Sequence, residues 1–256
     1  MKTTNILPIF LMLLFIVPFT AAAQDEEQSQ AFWVHEDPVY PSMVADYESY
    51  CVDLVDNCNK YGITEANWQT ISTDDLKYFH ISPIQKMGDL DKSRFSLLQE
   101  KMGEEDFNAL FDNFDSCYDN HTDYIVHLDK ELSYHPSEGS MGEGTFRKME
   151  FWYVTPQNFN KMVDIAKEFK ALYASRNSQE YYDVYRSGFG ASGQYLLVVI
   201  TANNPEHYES IRNANKTLLG IERDVIYNKL LSTINKVEIL TGYLRTDLSY
   251  VPGNNK

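Results

Sequence analysis

The alternation of apolar and polar positions divides this chain into helical and strand segments. Over residues 43–60, apolar and aromatic side chains recur at every third or fourth position and acidic residues occupy the opposite face, which predicts an amphipathic helix. Short runs rich in β-branched and aromatic residues, such as 195–201, predict strands instead. The predicted strands cover residues 32–35, 67–71, 76–81, 124–128, 149–154, 181–185, 195–201 and 236–244, and the predicted helices cover 43–60, 104–118, 158–175 and 205–231.

The second half of the chain repeats landmarks of the first half. The pattern Leu-Ser-Tyr-x-Pro occurs at residues 132–136 and again at 248–252, and an aromatic Phe-Trp pair opens each half. Gly103 and Gly220 precede the two Leu-Ser-Tyr patterns by 29 and 28 residues. A repeat in this register predicts two copies of one supersecondary unit. The order strand, helix, strand, strand, helix, strand is that of the ferredoxin-like βαββαβ motif.

The strands of the second unit are apolar on both faces. Tyr195, Leu197 and Val199 alternate with an equally apolar set, yet helices can cover only one face of a sheet. We therefore predict an α+β fold in which two ferredoxin-like repeats pack sheet to sheet, with the paired Leu-Ser-Tyr-x-Pro segments as equivalent turns at their interface. The predicted repeats cover residues 31–136 and 148–252, with a Gly/Ser-rich linker at 137–147 and a tail at 253–256.

The N-terminal segment has the pattern of a secretory signal. Lys2 precedes an apolar run over residues 6–19, and Ala21-Ala22-Ala23 offers a small-residue cleavage site. The apolar run is shorter than the roughly 20 residues that a transmembrane helix needs. We predict that residues 1–23 are a signal peptide, that 24–30 are disordered, and that the mature chain is secreted or periplasmic and free of the membrane.

Acidic residues outnumber basic ones, 37 against 22, which gives a formal net charge of −15. Binding to nucleic acid or to an anionic membrane surface requires clustered Lys and Arg, so the composition argues against both partners. A hydrophobic content of 43% is enough to fill a core. The acidic excess is accounted for by a solubilising surface.

The three cysteines leave two alternatives open. Cys51 and Cys58 are seven residues apart on one predicted helix, about 10.5 Å along its axis, so they cannot form a disulfide with each other. Cys117 could meet one of them in an oxidising compartment, or all three could be small buried apolar residues. No Cys or His spacing typical of a metal site occurs, and we predict no metal.

Residues 32–43, the two-fold βαββαβ order and the paired Leu-Ser-Tyr-x-Pro endings resemble a fused, two-repeat member of the dimeric α/β-barrel superfamily, most closely the NIPSNAP-like exported proteins. The resemblance covers residues 31–252. It implies a small-molecule pocket between a sheet and its helices or between the sheets, and a monomer with an internal pseudo-dimer or a weak homo-oligomer. Relatives include haem-degrading and quinol-forming monooxygenases, chlorite dismutase-like haem enzymes and proteins without demonstrated activity, so the fold implies little about function.

His80 is the first candidate for chemistry. It shares a predicted strand face with Leu76 and Tyr78, where an imidazole could act as a base or as a haem ligand, or simply as a structural histidine. The resemblance implies that haem-dependent relatives carry their axial histidine on a helix, and the predicted helices 43–60 and 104–118 contain none. We therefore predict no cofactor and keep haem as the alternative.

Trp33, His35 and Asp37 share one face of the first predicted strand. A histidine beside a carboxylate can transfer protons, although a core Trp and a solvated His explain the same pattern. In the second copy we expect Tyr153 and Thr155 at the corresponding positions, which confines any such chemistry to the first repeat.

Aromatic residues are frequent in the second repeat. Tyr182 and Tyr195 suit a ligand pocket with one wet end, and packing against the twin sheet explains them equally well. The predicted ligand-binding residues are Trp33, Tyr78, His80, Tyr182 and Tyr195. Arg186 could hold an anion or form a surface salt bridge.

The chain lacks the common catalytic signatures, namely a Rossmann glycine pattern opening a helix, a Walker loop, HExxH and GxSxG. The sequence therefore favours an exported protein with no or marginal enzymatic activity that binds a small, partly apolar ligand. One alternative is a cofactor-independent monooxygenase-like or haem-handling enzyme centred on His80, with Tyr78 and Trp33 nearby. Another is a protein-interaction module that uses an uncovered sheet edge.

Overall fold

The computed structural model describes residues 29–136 and 144–253. The predicted signal peptide, most of the predicted linker and the end of the tail lie outside the described residues. The first strand begins at Ser29, so the predicted disorder of 24–30 is wrong for its last two positions. Within the described ranges, no helix combines the length and apolar character needed to cross a membrane.

Eight strands and five α-helices follow one another in the described ranges. The strands are β1 Ser29–Pro38, β2 Trp68–Thr73, β3 Lys77–Ile84, β4 Thr122–Asp129, β5 Phe146–Tyr153, β6 Tyr181–Ser187, β7 Tyr195–Ala202 and β8 Lys236–Tyr250. The helices are α1 Val44–Tyr61, α2 Ser96–Met102, α3 Glu104–Asp115, α4 Phe159–Ser175 and α5 Pro205–Leu231.

The strands close into a single antiparallel barrel in the order β1-β3-β2-β8-β5-β7-β6-β4. Four adjacent strands come from each repeat, and the repeats join where β2 pairs with β8 and β4 pairs with β6. This confirms the predicted α+β fold of two ferredoxin-like repeats forming an intramolecular α/β barrel. Closure pairs both edges of each sheet. The interaction-module hypothesis assumed an uncovered sheet edge, and the described strands offer none.

Both faces of strand β7 are buried, as the apolar alternation predicts. Tyr195 and Leu197 point into the barrel, where they pack with Val34, Phe151 and other apolar residues. Leu196 on the same strand points outward into the core beneath α4 and α5. Because β7 separates two apolar compartments, its residues have little freedom to shift register by one position.

The two Leu-Ser-Tyr segments fasten each repeat to the other. The hydroxyl of Ser249 accepts a hydrogen bond from the amide of Thr70 at 2.9 Å, and that of Ser133 accepts one from the amide of Val184 at 2.9 Å. Each serine thus reaches the second strand of the opposite repeat. The predicted equivalence of the segments is confirmed, but they are not simple turns, because the second copy continues strand β8.

The tyrosines of these segments hold the opposite repeat's first helix at its end. Tyr134 donates to the carbonyl of Ser178 at 3.0 Å, just beyond α4. Tyr250 donates to the carbonyl of Ile63 at 2.5 Å, just beyond α1. Ser178 and Ile63 are both 0% exposed, so these hydroxyls give their buried carbonyls a hydrogen-bond partner.

The landmark glycines mark the same backbone break in both repeats. Gly103 separates α2 from α3 with φ 88°, and Gly220 bends α5 with φ 55°. A residue with a Cβ adopts such positive φ values at a cost, which explains glycine at both positions. The predicted helix over residues 205–231 is therefore two helical arms joined at Gly220.

Cys51, Cys58 and Cys117 are all buried and free. Cys51 and Cys117 belong to the apolar cluster between the first sheet and its helices, and Cys58 lies in the neighbouring cluster. Of the two alternatives that the sequence left open, the structure favours small buried apolar residues over a disulfide.

Truncating either tail leucine should destabilise the whole barrel. Leu132 and Leu248 are 0% and 1% exposed, so Leu132→Ala and Leu248→Ala should each lower the free energy of unfolding by about 3 kcal/mol. Ile221→Ala, at a position 79% exposed, is the control and should change it by less than about 0.5 kcal/mol. Urea unfolding checks this; two separate transitions, only one of them shifted, would show that the repeats unfold independently.

Candidate functional site

A cavity of about 400 Å³ lies between the outer face of the first repeat's sheet and helices α1 to α3. Its sheet side is polar, whereas its helix side is mainly aromatic. The sheet contributes Trp33, His35, Asp37, Trp68, His80, Asp123 and Leu248, and the helices and loops contribute Tyr47, Cys51, Leu54, Arg94, Phe95, Phe111, Phe114, Asp115, Tyr118 and His121. We call this the relay cavity.

Three side chains in its wall form a hydrogen-bonded chain, the relay. The hydroxyl of Tyr47 lies 2.6 Å from Asp37 Oδ2 and 2.7 Å from His80 Nε2. Asp37 is the penultimate residue of strand β1, the paired strand β3 supplies His80, and the first turns of α1 place Tyr47 over both. Tyr47 and Asp37 are 0% and 3% exposed, so bulk water does not compete for these contacts.

The neighbours of His80 determine which nitrogen carries its proton. Its Nδ1 lies 2.9 Å from the hydroxyl of Thr70, and that hydroxyl donates its own proton to the carbonyl of Leu248 at 2.7 Å. Thr70 can therefore only accept from His80, which places the imidazole proton on Nδ1. The Nε2 atom is left as a base that faces Tyr47.

The relay is one proton short of satisfying both of its hydrogen bonds. Tyr47 has a single proton to donate, and it lies between two groups that both accept when Asp37 is ionised and His80 is neutral. Both contacts are complete only when a second proton resides on His80 or Asp37. The arrangement is thus a proton acceptor built into the cavity wall.

The pKa values favour this proton-poor state near neutral pH. Burial lowers the pKa of His80 to about 4, although the charge of Asp37 opposes the shift. Burial raises the pKa of Asp37, but the contact with His35 and the charges of both histidines outweigh it and the net shift is downward. Burial holds the pKa of Tyr47 well above its usual range. Near pH 7, Asp37 is ionised while His80 and Tyr47 are neutral.

His35 links Asp37 to a second carboxylate. Its Nε2 lies 3.1 Å from Asp37 Oδ1 and its Nδ1 lies 2.9 Å from Asp123 Oδ1. Burial lowers the pKa of His35, but the two carboxylates more than compensate and raise it to about 9. The indole of Trp33 also donates to Asp123, at 2.8 Å. His35 is therefore an imidazolium that fixes Asp37 in place.

A candidate metal centre lies at the mouth of the cavity. One ligand atom each from His35, His121 and Asp123 come within 4.8 Å of one another. Both nitrogens of His35 already face carboxylates, and its raised pKa keeps it protonated. A cation would have to displace that proton, so the arrangement favours the ion-paired imidazolium over metal ligation.

The cavity does not suit the haem alternative. Thr70 and Tyr47 engage both nitrogens of His80, and carboxylates engage both nitrogens of His35. The third histidine of the lining, His121, is half exposed and faces Asp123. Helices α1 and α3 carry no histidine. The imidazoles are committed to proton-bearing partners and not poised as axial ligands.

The structure brings together four of the residues proposed from sequence and separates the others. Trp33, His35, Asp37 and His80 line the relay cavity. The remaining candidates lie elsewhere: Leu76 in the β2–β3 turn, Tyr78 beside the cavity with its hydroxyl on Glu48, Tyr182 in a smaller cavity of the second repeat, Tyr195 inside the barrel and Arg186 in an ion pair with Asp129.

Sequence reasoning missed Tyr47, Thr70 and Arg94. Tyr47 fits the apolar stripe of its helix, and a tyrosine in such a stripe is most often packed core. Thr70 is an ordinary strand residue, and Arg94 lies in the irregular segment that precedes α2. The one usable signal for Tyr47 was its position in the first turns after the strand that carries Asp37.

The second repeat has apolar residues where the first has the relay. The amides of Thr70 and Val184 both donate to a tail serine, which fixes the correspondence between the two sheets. The strand registers extend this correspondence from β2 and β6 to the neighbouring strands. The turns that begin at Pro41 and Pro156, before α1 and α4, extend it to the helices. Asp37, Tyr47 and His80 correspond to Trp152, Met162 and Val198.

This correspondence corrects the alignment of the two Phe-Trp pairs that was predicted from sequence. The two Phe-Trp pairs predict that Trp152 matches Trp33 and that Tyr153 and Thr155 replace the polar residues. In the barrel, Trp152 instead occupies the position of Asp37, four residues further along the strand, and Tyr153 faces the interior. Aromatic side chains occur on both faces of each strand, so a match of residue types does not reveal such a shift.

The fold is shared with several solved structures. An anthrone oxidase-like protein superposes with a TM-score of 0.59 at 12% identity, over 88% of this chain and 94% of that one. A candidate monooxygenase from Lactobacillus acidophilus NCFM gives 0.51 at 12%, over 87% and 98%. A candidate monooxygenase from Fusobacterium nucleatum subsp. nucleatum ATCC 25586 gives 0.50 at 15%, over 85% and 93%.

These superpositions establish a common fold, but sequence identities this low leave the activity open. No protein-family model matches the sequence, and no curated protein matches it either. The likeness to NIPSNAP-like proteins stays a prediction.

The two half-buried histidines His35 and His80 should give the free energy of unfolding opposite pH dependences. Between pH 6.5 and 9 the folded state holds a proton on His35 that the unfolded state has lost, so stability falls as pH rises. Between pH 4 and 6.5 His80 is protonated in the unfolded state but not in the folded state, so stability rises with pH. Urea unfolding at several pH values should show a contribution that peaks near pH 6.5.

His35→Gln should abolish the alkaline decline, which we expect to be on the order of 2 kcal/mol. His135→Gln is the control, since it removes an exposed histidine from an ion pair with Asp183. A wild-type profile that stays flat from pH 6.5 to 9 would contradict the ion-paired assignment of His35.

Proposed function

We propose that the relay cavity binds a small, planar, partly apolar molecule and removes a proton from it, as the first step of a cofactor-independent oxygenation. One observation carries this proposal: the Asp37–Tyr47–His80 chain lacks a proton and lines an aromatic cavity. A buried base beside an apolar surface is the arrangement that general-base catalysis requires.

The cavity fits an aromatic ligand in size and lining. Its volume of about 400 Å³ lies in the range of small-molecule sites, roughly 300–1,000 Å³. The rings of Phe95, Phe111 and Phe114 lie 5.4 to 6.1 Å apart along the helix side. Flat aromatic rings gain from offset or edge-on contacts with such a wall.

The proton would leave through Tyr47. A ligand C–H or O–H beside the phenol oxygen gives its proton to Tyr47, while Tyr47 passes its own proton to His80 Nε2 over 2.7 Å. The new imidazolium lies 3.8 Å from ionised Asp37, whose charge stabilises it. Because the pKa of Tyr47 stays high, the phenol carries the proton without ionising.

Molecular oxygen would act on the resulting carbanion. In the oxidation of anthrone, a CH₂ group becomes a ketone; one atom of O₂ enters that ketone, and the other leaves as water with the two hydrogens. The protein supplies the base and a shielded cavity, and O₂ is the oxidant. An anthrone oxidase-like protein and candidate monooxygenases share this fold, which supports testing this reaction class first.

Removal of the Tyr47 hydroxyl should abolish proton transfer and keep the cavity's shape. Tyr47→Phe should lower kcat for anthrone oxidation about 100-fold, because general-base catalysis contributes roughly 10² to 10⁴. The measurement is oxygen uptake together with anthraquinone formation by absorbance, with the uncatalysed rate subtracted.

Tyr182→Phe is the matched control. It removes a buried hydroxyl that has no hydrogen-bond partner in the described ranges, from the second repeat's cavity, and should leave kcat unchanged. Full activity of Tyr47→Phe would refute the relay. If anthrone binds without turnover in the wild type, the non-enzymatic binding function favoured by the sequence is the better account.

We also propose, from the pattern of residues 1–23, that the chain is exported and begins at Gln24 after cleavage. N-terminal sequencing of protein recovered from the export compartment tests this. An intact Met1 terminus there would contradict cleavage.

A further inference from the structure

Arg94 stands at the boundary between the relay cavity and an adjoining open groove of about 1,010 Å³. Its guanidinium stacks on the indole of Trp33, with Cζ 3.8 Å from the ring centroid. One of its nitrogens donates to the hydroxyl of Ser82 on strand β3. These two contacts hold the charged group at the cavity wall, where a flexible surface arginine would not remain.

Arg94 differs from the other arginines in its partners. The chain has seven arginines, all within the described ranges, and five of them form ion pairs with carboxylates: Arg176, Arg186, Arg212, Arg223 and Arg245. Arg147 donates to two backbone carbonyls. Among the described residues, no carboxylate comes within ion-pair distance of Arg94.

The carboxylate beside Arg94 in the cavity lining is already occupied. Asp123 receives His35 at 2.9 Å and the indole of Trp33 at 2.8 Å. Among the described residues, Arg94 is thus a fixed, half-buried cation with no carboxylate in direct contact, in a chain whose net charge is −15. A cation removed from water without a partner is unfavourable, and a bound anion would relieve that cost.

We infer that the ligand of the relay cavity carries a carboxylate and that Arg94 binds it. This inference rests on the ligand cavity of the proposed function and adds the ligand's charge. A guanidinium with free N–H groups presents a planar fork that matches a carboxylate. The flanking indole of Trp33 suits an aromatic ring attached to that group.

The spacing of the site indicates the length of the ligand. Trp33, which carries Arg94, and Asp37, which anchors the relay, are four residues apart on β1, or roughly 13 Å. A ligand with its acid on Arg94 and its reacting position near Tyr47 needs two or three fused rings. The inferred class is an aromatic acid of that size.

Matched probes test the charge preference. 2-Naphthoate and 2-naphthamide have nearly the same shape and differ in charge, and their dissociation constants can be measured by isothermal titration calorimetry. Wild type should bind the naphthoate at least tenfold more tightly. Arg94→Gln should bind both probes equally, and Arg94→Lys should keep part of the preference, since it keeps the charge and loses the fork.

Two controls separate this inference from the proposed function. Lys101→Gln removes an exposed cation of α2 outside the cavity and should match wild type. Tyr47→Phe should lose oxidation of neutral anthrone but keep the naphthoate preference. A wild type without preference, or Arg94→Gln that retains it with an unchanged melting temperature, overturns the carboxylate inference alone. Failure of wild type to bind either probe overturns the inference and counts against the aromatic cavity as well.

Discussion

The exchange of tail segments between the two repeats is the interaction on which this structure depends. Ser249 binds the amide of Thr70, and Ser133 binds the amide of Val184, so each repeat supplies the last contact of the other's sheet. The same tail carries Leu248, whose carbonyl accepts the proton of Thr70 and thereby fixes the tautomer of His80. The same tail segment therefore both closes the barrel and sets the tautomer of His80.

Duplication lets one repeat specialise while the other supports the fold. The relay positions hold Trp152, Met162 and Val198 in the second repeat, which is the apolar solution expected of a sheet packed under helices. Polar groups buried at the first repeat's positions need hydrogen-bond partners to be tolerated. The tail of the second repeat provides some of these hydrogen bonds, so the relay in the first repeat depends on the second repeat.

The sequence pattern predicted those features of the site that depend on neighbouring residues of one strand. Alternation along β1 placed Trp33, His35 and Asp37 on one face, because side chains of a strand alternate strictly. The partners of those residues come from other elements: Tyr47 from a helix stripe typical of packed core, and Arg94 from an irregular segment. The alignment of the second repeat with the first could not be predicted from sequence either. Hydrogen bonds to the tail serines reveal it, and alignment of the two Phe-Trp pairs is wrong by four residues.

The charges of the site link anion binding to proton uptake. His35 and Arg94 carry positive charge and Asp37 and Asp123 negative charge, so these four groups balance before a ligand enters. A bound carboxylate adds one negative charge to a partly water-free cavity, where Coulomb interactions are stronger than in bulk solvent. That charge favours the imidazolium of His80, the product of proton transfer. An anionic ligand would thus both pair with Arg94 and make the relay a stronger base.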